Sequence, residues 1–316
     1  MAALITGIHH ITAIAGNPQK NVDFYTGILG LRLVKKTINF DSPDVYHFYF
    51  GDELGTPGTV FTTFPFDGAR KGTKGTGEMT YTAFSVSIDS LGYWKERLAK
   101  YNIPTSDVLT RFGDKLIRFE DHDGMGIELV ANNNDSRSGW TYGFIPKEHV
   151  IKGFYGATLN LKAKELTEKL LTQFMDYKFL AEEEGRYRYG TEGKPGDIVD
   201  IVIDKNGRQG VQSAGTIHHI AFRTANSATQ LEVQQILINN GYHVTEVKDR
   251  NYFTSIYFRE PGGVLFEIAT DEPGFAIDED EAHLGELLKL PDWAEVHRDK
   301  IEPKLAKVQL NVEKYV

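Results

Sequence analysis

Short runs that largely alternate between apolar and polar residues recur along the chain. Examples are Leu-Ile-Arg-Phe-Glu at 116–120, Thr-Leu-Asn-Leu-Lys at 158–162 and Asp-Ile-Val-Asp-Ile-Val-Ile at 197–203. A period of two is that of a strand with one face buried. Between such runs the apolar residues return every three or four positions, as in 91–102 and 165–177, which predicts amphipathic helices. Strand, helix and three further strands follow one another in this order four times. In the first unit a strand is expected at residues 7–15, a helix at 19–28 and strands near 31–39, 45–50 and 59–64. Asn17-Pro18 marks the start of its helix and Gly30 the end. The second unit runs from 80 to 130, with Asp89 and Ser90 as candidate helix caps. The third has a strand near 155–162, a helix from 165, and strands through 185–191 and 197–204. The fourth has strands near 218–224, 243–249, 252–258 and 263–269, and a helix at about 228–239.

The expected class is α+β, with four βαβββ modules of about 50 to 80 residues. Residues 70–79, rich in Gly, Lys and Thr, read as a flexible linker. After Thr270 the chain turns acidic at Asp278-Glu279-Asp280-Glu281, and its last 46 residues read as a helical tail wrapped on the surface.

With 316 residues, 41% of them hydrophobic and 25% charged, the chain can bury a full core in two subdomains. No stretch approaches the roughly 18–20 apolar residues needed to span a bilayer. The start lacks the pattern of a secretory leader, so a cytoplasmic setting is expected. A net charge of −9 argues against nucleic acid and leaves small molecules as the expected partners. There is no cysteine, which removes disulfides, thiol catalysis and thiolate metal sites together.

Two histidine pairs, His9-His10 and His218-His219, open strands far apart in the chain, and Glu267 lies in a third strand. Two imidazoles and one carboxylate on one face of an Fe(II) ion leave its other positions open for substrate and O2. The segments around the two pairs match, for seven residues past each second histidine stands an asparagine, Asn17 or Asn226, followed by a helical pattern. Strand alternation puts the two members of each pair on opposite faces, so at most one of each faces a given cavity. Thr12 and Ile14 share the face of His10. Leu265 and Ala269 share that of Glu267, while Phe266 and Ile268 point to the helix layer.

The four modules, with Ile-His-His-Ile-Thr at 8–12, the segment 21–37, the loop Gly-Asp-Glu-Leu-Gly-Thr-Pro-Gly-Thr at 51–59 and Pro-Gly-Gly-Val-Leu-Phe-Glu at 261–267, resemble the vicinal oxygen chelate superfamily. That group includes glyoxalases, fosfomycin- and bleomycin-resistance proteins and extradiol dioxygenases. Within it the resemblance is greatest to ring-cleaving dioxygenases acting on hydroquinones, and it covers nearly the whole chain. The resemblance implies His10, His219 and Glu267 as metal ligands, Fe(II) as the metal with Mn(II) as an alternative, and Tyr257 and Arg250 as groups reaching the bound substrate. His218, Thr12 and His9 flank the ligands and are candidates for orienting imidazoles or passing protons. A para-diol would bind through a single hydroxyl, with O2 beside it. The other readings are a catechol-type extradiol dioxygenase, a glyoxalase-like isomerase or transferase, and a non-catalytic binder of aromatic compounds. A homo-oligomer is compatible with everything read here.

These ligands demand that modules one and four, residues 1–70 and 216–270, pair into a metal-bearing cup. Modules two and three, residues 78–204, then form a second cup without metal, followed by the tail 271–316. Glu128 stands in module two where Glu267 stands in module four, but without histidines, and Gly156 occupies in module three the place of His10. Glu128 therefore reads as a relic or an ion-pair partner. His47 among aromatics reads as a satisfied core histidine, and His122, His149, His243, His283 and His297 have no spacing partner.

Overall fold

The computed structural model describes residues 3–316, so Met1 and Ala2 lie outside the described residues. Its strands are β1 Ile8–Ala15, β2 Arg32–Asn39, β3 Ser42–Gly51, β4 Val60–Pro65, β5 Glu78–Val86, β6 Leu109–Arg111, β7 Asp114–Glu120 and β8 Gly126–Ala131. Then follow β9 Gly153–Leu161, β10 Lys178–Glu183, β11 Arg186–Gly190, β12 Ile198–Ile203, β13 Thr216–Thr224, β14 Lys248–Asp249, β15 Phe253–Arg259 and β16 Leu265–Pro273. The module helices are α1 Pro18–Val22, which continues as a π-helical turn over Asp23–Ile28, α2 Leu91–Lys100, α3 Glu165–Phe174 and α4 Ser227–Asn239. The two asparagines that follow the histidine pairs start α1 and α4. Asn17 accepts from the Lys20 N–H, and Asn226 accepts from those of Ala228 and Thr229, relieving the unpaired donors of a first helical turn. Ser90 flanks α2 but does not cap it with its side chain. Its hydroxyl meets the Glu148 carbonyl and His149 instead.

Two eight-stranded mixed sheets result. One has the order β14-β15-β16-β13-β1-β4-β3-β2 and so joins the first and fourth modules. The other, β10-β11-β12-β9-β5-β8-β7-β6, joins the second and third. In each sheet the first strands of the two modules meet antiparallel, β1 with β13 and β5 with β9. Alternation then divides the residues of each strand between two environments. Ile11 and Ala13 of β1, with Phe266 and Ile268 of β16, enter a core shared with Val22, Tyr25, Trp94, Leu170 and Val233 of the helices. That core is continuous between the sheets, where Phe61 and Phe84 meet edge to face at 6.1 Å. The opposite face of the first sheet, carrying His10 and Glu267, curls around a cavity.

Residues 70–77 are not a free linker. They pair with the second crossover between the lobes through backbone bridges Lys71↔Ala214, Thr73↔Val211 and Thr76↔Gln209. A Cβ at Gly75 would lie 2.3 Å from the Arg208 carbonyl oxygen, so glycine is what lets the two connectors close on each other. The tail is helical only in short pieces, α5 Asp292–Glu295, α6 Arg298–Ile301 and several 3-10 turns. It is nevertheless fastened down. Fully buried Lys35 pairs with Asp278 and Glu279, Leu290, Ala294 and Leu305 pack on Ile38, and the Tyr315 carbonyl accepts from Arg97 of α2 and from Tyr101 just after it. No helix among the described residues is long and apolar enough to cross a membrane.

Candidate metal centre

Three neighbouring strands at the middle of the first sheet bring three ligand-type atoms together. His10 Nε2 lies 3.3 Å from His219 Nε2 and 3.4 Å from Glu267 Oε2, and His219 Nε2 lies 2.9 Å from that oxygen. All three side chains are buried. For metal–ligand bonds of about 2.1 Å, donors at right angles stand about 3 Å apart, which is the spacing of this triangle.

The surroundings fix what each atom offers. His9 Nε2 lies 3.0 Å from the Thr270 carbonyl oxygen, which only accepts, so His9 carries its proton on Nε2. Its Nδ1, 2.9 Å from His10 Nδ1, must then accept, and His10 carries its proton on Nδ1. The His10 Nε2 lone pair is thereby turned toward Glu267 and His219. Burial, reinforced by the neighbouring His10, pushes the His9 pKa well down and keeps this ring neutral. Glu267 Oε1 accepts from the Ser255 hydroxyl, while Oε2 is buried with no properly aligned hydrogen-bond donor. Burial alone would raise the Glu267 carboxyl, but His10 and His219 outweigh it and hold it well below the usual carboxylate range. Burial lowers the pKa of His219. A lone pair, a neutral imidazole nitrogen and an unpartnered carboxylate oxygen converging in a dry pocket are a donor set for a cation, and the residues present fit a divalent metal.

The histidine pairs depart from strand alternation. Between Ile8 and His10 the register of β1 against β13 slips by one residue, and it slips back between Thr12 and Ala13, where His218 is the extra residue on β13. These β-bulges turn adjacent side chains together. His9 and His10 touch through their Nδ1 atoms, and His218 Nδ1 lies 2.8 Å from His219 Nδ1. The expectation that alternation turns His218 away from the cavity is therefore overturned, whereas His9 stays outside it, behind His10. His218 lines the cavity beside His219, and burial takes its pKa down to about 3.

Tyr257 is largely buried on its strand, with its ring at right angles to that of His219 at 5.8 Å between centroids. Arg250 is no solvated turn residue. Its Nε donates to the Tyr257 hydroxyl at 3.1 Å, and its guanidinium lies over the Tyr257 ring. Burial, followed by the charge of Glu267, pushes the Tyr257 hydroxyl well above its usual pKa, so it keeps its proton. Thr12 meets Thr62 at 2.7 Å between hydroxyls. The cavity has a volume of about 500 Å³ and room for one substituted aromatic ring. Its apolar wall includes Ile14, Phe64, Phe66 and Leu265.

Sequence reasoning missed four contributors. Ser255 was within reach, because it shares the strand face of Tyr257 two residues on. Phe253 packs its ring against both His9 and His10, at 5.1 and 4.9 Å. His47 is satisfied at both ring nitrogens, as a core histidine would be, yet it and Tyr49 line the cavity. Glu128, the counterpart of Glu267, is gripped by both ends of the Arg111 guanidinium and by Arg118, so arginines occupy the place a metal would take in the second cup. Among the described residues one other group, Asp121, His122 and Asp123, gathers three metal-type side chains. Asp121 there is already engaged by Tyr25 and by the N–H groups of Asp123 and Met125.

The family model described as Glyoxalase/Bleomycin resistance protein/Dioxygenase superfamily matches residues 7–129 and 150–268. MhqO of Bacillus subtilis, which carries a provisional name as a ring-cleaving dioxygenase, is 46% identical over 305 residues, covering 96% of this chain and 97% of its own. Chlorohydroquinone/hydroquinone 1,2-dioxygenase of Sphingobium indicum is 36% identical over 306 residues, covering 94% of this chain and 95% of its own. A crystal structure from Bacillus subtilis, described provisionally as a dioxygenase, superposes with a TM-score of 0.94 at 45% identity, covering 98% of this chain and 99% of that one. Glyoxalase I of Zea mays, at 13% identity, a TM-score of 0.63 and coverage of 84% and 92%, shares the fold.

Proposed function

We propose, from the premise that this chain belongs to the glyoxalase/bleomycin resistance protein/dioxygenase superfamily, that it is an Fe(II)-dependent dioxygenase opening the ring of a hydroquinone with O2. The observation that carries the reading is the convergence of His10 Nε2, His219 Nε2 and Glu267 Oε2 on one buried point beside a cavity sized for a single aromatic ring. The names of the relatives support ring cleavage, and that of the Sphingobium indicum enzyme supports a hydroquinone. Fe(II) held by two imidazoles and one carboxylate supplies Lewis acidity and open positions for a phenolate and O2. Mn(II) fits the same donors and is the second candidate, because ligand softness does not separate the two.

The remaining chemistry belongs to the chain itself. His9 fixes the tautomer of His10 and Ser255 orients the Glu267 carboxylate, so the ligands are set before a metal arrives. Arg250 occupies a lone pair of the Tyr257 oxygen, which leaves the Tyr257 proton free to be donated into the cavity. For His219 to present a lone pair at Nε2, its Nδ1–H must donate to His218. His218 then keeps its own proton on Nε2, on the cavity side. Ile14, Phe64, Phe66 and Leu265 hold the ring of the substrate and keep water from it.

The test is anaerobic loading with Fe(II) followed by O2 consumption with hydroquinone, methylhydroquinone and catechol in parallel. Uptake is expected with the para-diols and to be much slower with catechol. Fast uptake with catechol alone would assign the activity to catechol cleavage, and no uptake with any diol would overturn the dioxygenase reading.

A further inference from the structure

Four side chains on three adjacent strands form a continuous hydrogen-bonded string along the cup. The Tyr49 hydroxyl lies 2.8 Å from His47 Nδ1, His47 Nε2 lies 2.9 Å from the Thr62 hydroxyl, and Thr62 lies 2.7 Å from the Thr12 hydroxyl. Thr12 and Thr62 are fully buried, whereas His47 and Tyr49 line the cavity with their rings 4.0 Å apart. Burial, then the neighbouring His10, His219 and Arg250, push the His47 pKa well down, so the ring is neutral and carries one N–H. The string thus holds four mobile protons, one on each group, for three internal hydrogen bonds. One proton is always left over, and it sits at an end whenever the three bonds all run the same way.

If every bond points toward Thr12, the spare proton sits on Thr12 and the Tyr49 oxygen offers the cavity a lone pair. If every bond points toward Tyr49, its O–H is free to donate. Changing between the two requires the hydroxyls to turn and the imidazole to exchange tautomer, and no group has to ionise. Such an end matches a neutral hydroxyl, which is itself both donor and acceptor. Asp41, which also lines the cavity, suits this less well, because its side chain is 83% exposed and water competes for it.

We propose that Tyr49, held in place by His47, is the residue that reads the free hydroxyl of a para-diol, the one that does not reach the metal. The proposal rests on the hydroquinone reading above and adds a specificity-determining residue to it. Buried polar groups built to meet a substrate hydroxyl discriminate strongly against an analogue lacking it, because they are left unpaired. Tyr49 would be the contact, and His47 a positioning residue acting through it.

The experiment compares anaerobic binding of hydroquinone and of phenol, which lacks the second hydroxyl, to the Fe(II)-loaded protein. Wild type is expected to prefer hydroquinone at least about tenfold. Tyr49→Phe should weaken hydroquinone by about 10- to 50-fold, leave phenol within about twofold, and so erase the preference. His47→Leu should do the same, while His47→Gln, which keeps an acceptor for the tyrosine, should retain part of it. If only one of these variants folds, the ratio of the two affinities in that variant decides. Equal weakening of both ligands, an unchanged ratio, or a wild type without preference overturns the proposal. A wild type that binds neither compound and consumes no O2 instead refutes the hydroquinone reading itself.

Discussion

Replacing His9 by leucine tests whether the tautomer of His10, at the candidate metal centre, is set from behind. The relay is short, with the Thr270 carbonyl accepting from His9 Nε2 at 3.0 Å and His9 Nδ1 meeting His10 Nδ1 at 2.9 Å. Leucine fills much of the same volume and keeps apolar contact with Phe253, but it accepts nothing. The His10 Nδ1–H would then be a buried donor without a partner, a loss of about 1–3 kcal/mol. The ring escapes that penalty by moving its proton to Nε2, the atom that must carry a lone pair to bind metal. The same 1–3 kcal/mol therefore becomes a metal affinity weaker by about 5- to 150-fold. His9→Gln, whose side-chain carbonyl can accept from His10, should recover most of the loss. Competition titrations of Fe(II) or Mn(II) against a chelator measure all three proteins, with far-ultraviolet circular dichroism to verify their folds. If the leucine variant binds metal within about twofold of wild type, His9 does not orient His10, and the tautomer argument fails.

Other consequences follow from burial and charge. His9, His47, His218 and His219 all have lowered pKa values because burial disfavours their charged forms, His218 down to about 3. Below about pH 6.5 the unfolded chain takes up protons that the folded one refuses. The metal-free protein should therefore lose stability as pH falls, by up to about 1.4 kcal/mol per pH unit for each of these histidines. Urea midpoints at pH 7.5, 6.5 and 5.5 measure this, and equal midpoints would contradict it. Glu128→Ala leaves Arg111 as a buried charge without its carboxylate and should cost about 3–5 kcal/mol in unfolding free energy. Metal affinity should stay unchanged, since Glu128 belongs to the other sheet. Lys35→Met leaves Asp278 and Glu279 without their cation and should loosen the tail. Limited proteolysis would then cut between residues 274 and 290 faster than in wild type, and an unchanged digestion pattern would refute the role given to Lys35.

The fold was largely legible because its strands have one face in the core and the other in a cup, so their alternation is strong. The asparagines after the two histidine pairs carried real information, since each caps a helix. Other elements left weaker traces. Most residues of β10 are exposed, so this strand has no apolar face to betray it. Near β14 the expected strand at 243–249 keeps only Lys248–Asp249 in regular pairing. Around Thr245 side chains take over, with its hydroxyl accepting from the Tyr257 N–H and its carbonyl accepting from Gln234. The first connector is held by backbone bridges to the second although it is rich in glycine and threonine, a composition that otherwise signals freedom. At the site, the type and spacing of the residues pointed to His10, His219 and Glu267, which the fold brings together. The bulges that set His9 against the back of His10 and turn His218 into the cavity were invisible, because a single slipped residue leaves no mark on a hydrophobic pattern. His47 was hidden for a different reason, since a histidine satisfied by its neighbours can still border a cavity.

The sheet order has a consequence for how the protein is made. β1 leaves the ribosome well before one of its two neighbours, β13, which begins at Thr216. Until then β1 offers an open backbone edge on the side that β13 will cover, and such edges invite pairing with other chains. The whole of the intervening lobe, through β12, can be completed during that wait. A nascent chain stalled before residue 216 should accordingly hold a finished second lobe beside an unfinished first one, and should depend on chaperones more than the full-length protein does.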